Sequence, residues 1–294
     1  MFKTPPAKSE YVTRKQIIDA KLKAAGWTVT KFDQSRSPSN YGRCAIEEYP
    51  TENGPADYAL CVGGRILGVV EAKKLSLGPQ NVLTQAERYF RGLMISPFDF
   101  RGYRVPFLYS TNGEVIWYHD VRHELNRSRE IAKFHTPDAL TEFLARDFEV
   151  AATKLRAMPN DHPRILARPY QVDANSEIEK AIEGRKRQML VAMATGTGKT
   201  FMTVNEIYRL MKSGMAKRIL IFLVDRRALA AQAIRTFASF EPEPGLKFNK
   251  IYQVYSQKFQ KEDFGEEEKF DPTVLPNSYL VSPKPGDAFV YVST

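Results

Sequence analysis

The chain has 294 residues, 43 Lys and Arg against 34 Asp and Glu, and a formal net charge of +9. At roughly 150 residues per domain this length suits about two domains, and 43 % hydrophobic with 26 % charged residues excludes a disordered or fibrous chain. No apolar run approaches the ~20 residues of a membrane span and Met1-Phe2-Lys3-Thr4-Pro5-Pro6 has no signal-like apolar core, so the chain reads as cytoplasmic, with no membrane partner. The positive excess favours a polyanion such as nucleic acid, because each neutralised phosphate releases counterions. Cys44 and Cys61 have neither CxxC spacing nor a nearby His pair, which argues against a zinc site or a disulfide framework.

The first expected element is a helix over Ser9 to Ala25, with Ile17, Ile18, Leu22 and Ala25 at helical spacing and Gly26 as its stop. A short strand, Trp27-Thr28-Val29, leads into a polar loop containing Ser35, Ser37, Pro38, Ser39 and Asn40. Ala56 to Val62 and Ile66 to Lys73 read as strands joined at Gly63-Gly64, a hairpin signal. A helix is expected over Gln80 to Leu93, strands at Phe107 to Ser110 and Glu114 to Tyr118 around Asn112-Gly113, and helical segments from Thr136 to Arg156. These elements make a first domain, 1–157.

Residues 158–169, with three prolines, read as a linker. Beyond it, in 170–294, helices and strands alternate: helix Gln171 to Glu183, strand Met189 to Ala192, helix Lys199 to Met211, strand Arg218 to Val224, helix Arg227 to Phe240, and a last strand at Val290 to Thr294. Such alternation implies a parallel sheet with helices on both faces. An acidic stretch containing Glu262, Asp263 and Glu266 to Glu268 interrupts the otherwise basic chain, and no role is assigned to it.

The most specific motif is Thr195-Gly196-Thr197-Gly198-Lys199-Thr200, placed between an apolar run and an amphipathic helix. A glycine-rich loop there can turn several backbone N–H groups towards one anion, while Lys199 reaches the β/γ-phosphates and the Thr200 hydroxyl takes one position on Mg²⁺. This is the chemistry of ATP. Met193 stands where the general pattern has its first glycine, and the run resembles motif I of superfamily 2 helicases and DNA translocases.

A second constellation lies in the first domain. Glu71 and Lys73 are two apart on a strand and so leave the same face. If Gly63 to Arg65 form a three-residue loop, Asp57 falls opposite Glu71; a strict two-residue turn would set it opposite Val70, facing away. Convergence therefore requires a bulge or an odd loop. Two converging carboxylates suit Mg²⁺, and a lysine beside them can orient the attacking water and offset transition-state charge. Val69, Val70 and Ala72 interleave with Glu71, so these charges sit on an otherwise apolar strand. Gln85 and Tyr89, four apart, share one face of the following helix.

Asp57, Glu71-x-Lys73 and Gln85-x-x-x-Tyr89 together resemble the PD-(D/E)xK nucleases with the extra QxxxY motif of RecB-like members. That resemblance implies a mixed sheet flanked by helices, Asp57 and Glu71 as metal ligands, Lys73 as the catalytic lysine, and Gln85 and Tyr89 as groups that position DNA or the lysine. Ala56 replaces the proline usual before the aspartate. Glu10 or Asp19 of the first helix is a further candidate acid.

A nuclease of this type followed by a superfamily 2 motor, with Arg168-Pro169-Tyr170-Gln171 just upstream, is similar to the N-terminal part of the restriction (HsdR) subunit of type I restriction-modification enzymes. The resemblance implies a Q-motif at Arg168 and Gln171, in which the Gln amide reads the adenine edge. It also implies a motif Ia at Leu223 to Arg227 with Leu229 and Gln232, touching the DNA backbone. Implied too are double-stranded DNA as substrate and methyltransferase (HsdM) and specificity (HsdS) subunits as partners. A stand-alone helicase–nuclease of repair or defence, and a non-enzymatic DNA-binding module with a vestigial site, are the alternatives. No Asp-Glu-x-His or Asp-Glu-x-Asp run occurs, so the sequence reads as a piece of a longer polypeptide, unable by itself to hydrolyse ATP.

Overall fold

A computed structural model of the chain describes residues 14–72, 96–159, 168–222, 227–257 and 286–294, together with 273–274, 280 and 283–284. The chain divides into two compact units, Met1–Arg146 and Asp147–Thr294. The division falls before the helix that the sequence reading groups with the first domain.

In the first unit a π-helical turn, Arg14–Ile18, runs into helix α1 (Asp19–Ala24), which ends at Gly26 in the left-handed region (φ 86°). Seven described strands form one mixed sheet in sequence order: β1 (Thr28–Lys31), β2 (Arg43–Tyr49), β3 (Ala56–Val62), β4 (Arg65–Ala72), β5 (Phe107–Thr111), β6 (Ile116–Asp120) and β7 (Arg129–Ile131). β1 pairs parallel with β2 and β4 parallel with β5, whereas the remaining neighbours run antiparallel. β2 is absent from the sequence-derived elements: Cys44 to Glu47 are all buried, so no alternation marks it as a strand. One core cluster contains Ile18, Leu22, Trp27, Tyr58, Val70, Phe107 and Tyr109; another contains Cys44, Ile46, Ala59, Cys61, Val69 and Leu108. Cys44 and Cys61 are buried free thiols, directly opposite each other on β2 and β3.

The β3–β4 hairpin positions the acidic residues. Gly63 (φ 56°) and Gly64 (φ 79°) both have positive φ, the requirement of a tight two-residue turn, and Val62 faces Arg65. Continued without a break, that register would put Asp57 opposite Val70. The ladder instead slips between Leu60 and Cys61: Cys61 faces Ile66, but Leu60 faces Gly68 and Tyr58 faces Val70. Leu67 is the extra residue of a β-bulge, and one further step aligns Asp57 with Glu71. Gly68 permits the close packing beside the bulge, since a Cβ there would lie 3.2 Å from Leu60 Cδ1 and 3.3 Å from both the Phe107 carbonyl oxygen and Tyr109 Cε2.

The helical segment expected over Thr136 to Arg156 is two helices. α2 (Pro137–Ala145) is capped by the Thr136 hydroxyl, and α3 (Phe148–Ala157) by the Asp147 carboxylate, which accepts from Val150 N–H and restarts the chain. α3 packs in the second unit.

The second unit contains α4 (Pro169–Glu183), α5 (Lys199–Ser213), β8 (Arg218–Phe222), α6 (Arg227–Ser239), α7 (Phe248–Ile251), β9 (Gln253–Ser256), β10 (Thr273–Val274) and β11 (Phe289–Ser293). Its described strands form a wholly parallel sheet in the order β10-β9-β11-β8. The alternation and the parallel sheet agree with expectation. Met189 to Ala192 does not: it is neither helix nor strand and lies outside both described sheets, and Leu190 is 95 % exposed. Apolar composition alone does not make a strand without a ladder to satisfy its backbone. Among the described residues no helix is long and apolar enough to cross a membrane.

Candidate functional site

In the first unit, the bulged register carried one step past Tyr58–Val70 sets Asp57 opposite Glu71. Glu71 is 6 % exposed on β4. Asp57 Oδ2 accepts the N–H of Ala72 at 2.7 Å, which fixes its carboxylate beside the end of β4. By the alternation of the pleat, Asp57 shares a face with Ala59 and Glu71 with Val69, two members of one core cluster.

Basic groups from the π-helical turn meet this acidic row. Arg14 Nη1 lies 2.6 Å from Glu48 Oε1 and 2.9 Å from Asp57 Oδ1, and the guanidinium carbon stands 5.2 Å from the Tyr58 ring centroid. Burial works against the Arg14 charge, but Asp57 and then Glu48 outweigh it and hold its proton more tightly than usual. Lys15 bonds Glu47 and lies 3.5 Å from Asp19, and these contacts likewise overcome burial to raise its pKa. Asp19 in turn accepts the Tyr58 hydroxyl at 2.6 Å. Asp19 is thus held through Tyr58, the neighbour of Asp57, whereas Glu10 lies outside the described residues, as do Lys73, Gln85 and Tyr89.

Mg²⁺ is commonly held by one or two carboxylates and several waters, so a pair of hard oxygen donors at adjacent strand positions fits it. Among the described residues no group of three or more His, Cys, Asp or Glu gathers as a metal site. The fit therefore rests on Asp57 and Glu71 alone.

The second constellation is built where α4 and α5 begin. Gly196 (φ 80°) and Gly198 (φ 81°) adopt the left-handed backbone that only glycine takes without strain, and Gly198 caps α5, whose first residues are Lys199 and Thr200. Thr195 and Lys199 are exposed and Thr200 is half-buried. Lys199 Nζ donates to the carbonyls of Met193 (2.8 Å) and Ala194 (2.9 Å), so the ammonium lies within its own loop. Gln171 is 6 % exposed; its Nε2 donates to the Thr197 carbonyl at 2.8 Å and its Oε1 accepts from Arg168 N–H at 3.1 Å. The amide thus pins the loop to the start of α4.

Tyr170, to which the sequence reading gives no role, hydrogen-bonds Thr197 O (3.1 Å) and accepts from Arg168 Nη1 (2.8 Å). With Ala174, Val191, Met193, Ala194 and Thr197 it lines a pocket of about 250 Å³. Two left-handed glycines, an ammonium held at the loop by backbone carbonyls alone and a helix N-terminus are the donor set that fits a nucleoside triphosphate. In the motif Ia segment, residues 223–226 lie outside the described residues, while Arg227 opens α6 and Leu229 is 45 % exposed.

Below this loop lies a buried polar layer that no motif signals. Arg209 of α5 bonds Glu179 of α4 through Nε (2.6 Å) and Nη2 (3.2 Å), and also donates to carbonyls at the end of α3, Leu155 (3.3 Å) and Met158 (3.2 Å). Glu206 is 5 % exposed, and neither of its carboxylate oxygens has a hydrogen-bond partner. Burial, then Glu179, push its pKa up to about 8 against the opposing pull of Arg209.

Comparison with known proteins finds matches in both halves of the chain. The family model described as "Type I restriction enzyme EcoKI endonuclease subunit second domain" matches residues 27–144, and "Type III restriction enzyme, res subunit" matches 164–278. The type I restriction enzyme EcoKI endonuclease subunit of Escherichia coli (strain K12) is 33 % identical over 289 residues, covering 81 % of this chain and 24 % of that protein. The EcoAI endonuclease subunit of Escherichia coli is 31 % identical over 136 residues, covering 44 % of this chain and 17 % of its own length. The chain thus spans about a quarter or less of these relatives. No solved structure matches. With matches in both units, the chain belongs to the family of type I restriction enzyme endonuclease subunits.

Proposed function

We propose that the first unit is a PD-(D/E)xK nuclease that cuts double-stranded DNA with Mg²⁺ held by Asp57 and Glu71. The second unit is then the start of an ATP-driven translocating motor of the RecA-like kind. What supports the nuclease reading is the bulge at Leu67, whose register, continued one step past Tyr58–Val70, sets Asp57 opposite Glu71 on strands otherwise filled by apolar residues. Lys73 would orient the attacking water, with Gln85 and Tyr89 supporting it. Arg168, Gln171 and Thr195 to Thr200 would hold ATP, with Thr200 on its Mg²⁺. The likeness to type I endonuclease subunits supports methyltransferase (HsdM) and specificity (HsdS) subunits as partners.

The test is DNA cleavage and ATP-driven movement by the complete enzyme, assembled with its partner subunits in Mg²⁺ and ATP. Asp57→Asn, Glu71→Gln and Lys73→Ala should abolish cutting while ATP-driven movement on DNA persists; Lys199→Ala should remove movement and the cutting that depends on it. Cutting at the wild-type rate by Asp57→Asn would refute the assignment.

A further inference from the structure

We infer that Arg14 is a built-in counter-ion for Asp57 that competes with the divalent cation for the same carboxylate. Its guanidinium stands where a metal would have to approach. Asp57 Oδ2 is directed towards the Ala72 N–H, and Oδ1, the oxygen turned away from that bond, faces Arg14 Nη1 at 2.9 Å. A cation bound to Asp57 must share Oδ1 with this positive charge or move it aside.

The surroundings of Arg14 supply a second resting place. Nη1 already bonds Glu48 Oε1 at 2.6 Å, and Glu48 is solvent-accessible with its backbone at φ 51°, off the ordinary strand conformation. The guanidinium lies over the Tyr58 ring, while its Nε is buried with no hydrogen-bond partner. Nη2 makes only a long contact, 3.4 Å, to the Asp57 carbonyl oxygen. The group is therefore held by two carboxylates, Asp57 and Glu48, and by Tyr58. Loss of Asp57 to a metal leaves Glu48 and the ring to receive it.

This inference rests on the proposed metal role of Asp57, and the experiment separates the two. Mn²⁺ binding to the 294-residue chain, free of nucleotide, is measured by calorimetry and by the electron paramagnetic resonance of free Mn²⁺. Asp57→Asn should lose the site. Arg14→Gln should bind Mn²⁺ roughly tenfold or more tightly than the wild type, because a unit charge beside the ligand has been removed. Glu48→Gln, at an exposed position, should weaken binding, because Arg14 is then left with Asp57 as its one carboxylate. Equal Mn²⁺ binding by wild type and Asp57→Asn would overturn the nuclease reading itself. If Asp57→Asn loses the site but Arg14→Gln binds no more tightly, Arg14 is a structural ion-pair partner and the competition is refuted. If Arg14→Gln fails to give a cooperative melt, unchanged affinity in Glu48→Gln refutes it instead.

Discussion

Replacing Glu206 by Gln should make the second unit more resistant to alkali. Glu206 lies on α5 beside the Arg209–Glu179 pair, yet Arg209 commits its donors to Glu179 and to the carbonyls at the end of α3, leaving both Glu206 oxygens without a partner. Its carboxyl titrates at about 8 in the folded chain against 4.5 as a free side chain. A folded-state pKa raised in this way means that the folded protein holds a proton which the unfolded chain releases. The stabilisation is complete below about pH 4.5 and falls as pH rises to about 8, at about 1.4 kcal/mol per pH unit. Between about pH 6 and pH 9 the wild type should therefore lose on the order of 3 kcal/mol through this group, whereas Glu206→Gln, which does not titrate, should lose none of it. In a unit of this size that corresponds to a difference of roughly 6–12 °C in unfolding temperature. Scanning calorimetry of both proteins across that range reads it directly. Parallel decline of the two unfolding temperatures would show that Glu206 is already ionised in the fold and that the burial argument fails.

His135 gives the opposite sign in the first unit. Burial, then Arg129, depress its pKa from 6.5 to about 4, so its stabilisation is complete above about pH 6.5 and is lost as pH falls towards 4. The unit should weaken by up to about 3 kcal/mol over that window, and His135→Gln should flatten the slope in acid unfolding curves. Gly198→Ala forces a side chain into the left-handed region and brings its Cβ to 2.5 Å from Gln171 Nε2. A strain of about 1–2 kcal/mol should weaken binding of a fluorescent ATP analogue roughly tenfold, and unchanged affinity would show that Gly198 is replaceable.

What the sequence made legible follows from where the information lies. Gly196 and Gly198 are needed for a local backbone conformation, and Gly26 and Gly63-Gly64 are equally local signals; all five take positive φ. The α4–α5–β8–α6 alternation was readable because each helix carries its own periodicity. β2 was not, since a strand buried along most of its length shows no alternation. Met189 to Val191 misled in the other direction, because an apolar run does not reveal whether a neighbouring strand pairs with it. Arg14, Glu48 and Tyr58 come together only through the tertiary fold: the ion pairs of Arg14 join residues 34 and 43 positions apart, without a motif to link them.

The hairpin shows why one residue can decide a site. Its turn was readable as Gly63-Gly64, and a two-residue turn by itself turns Asp57 away from Glu71. The correcting bulge lies three residues beyond the turn in the ladder, at Leu67, where nothing in an apolar run of Ile66-Leu67-Gly68-Val69 distinguishes the extra residue except the glycine after it. Because side chains alternate with a period of two, a slip of one exchanges the faces of every position further along the strand. In the unbulged register, Tyr58 would stand opposite Val69, and residues of the two core clusters would be mismatched across the pair. With the bulge, Tyr58 meets Val70 and Ala59 meets Val69, each within its own cluster. The packing that keeps both apolar faces in register is therefore the same device that brings the two carboxylates to adjacent positions, and the proposed metal site inherits its alignment from the core.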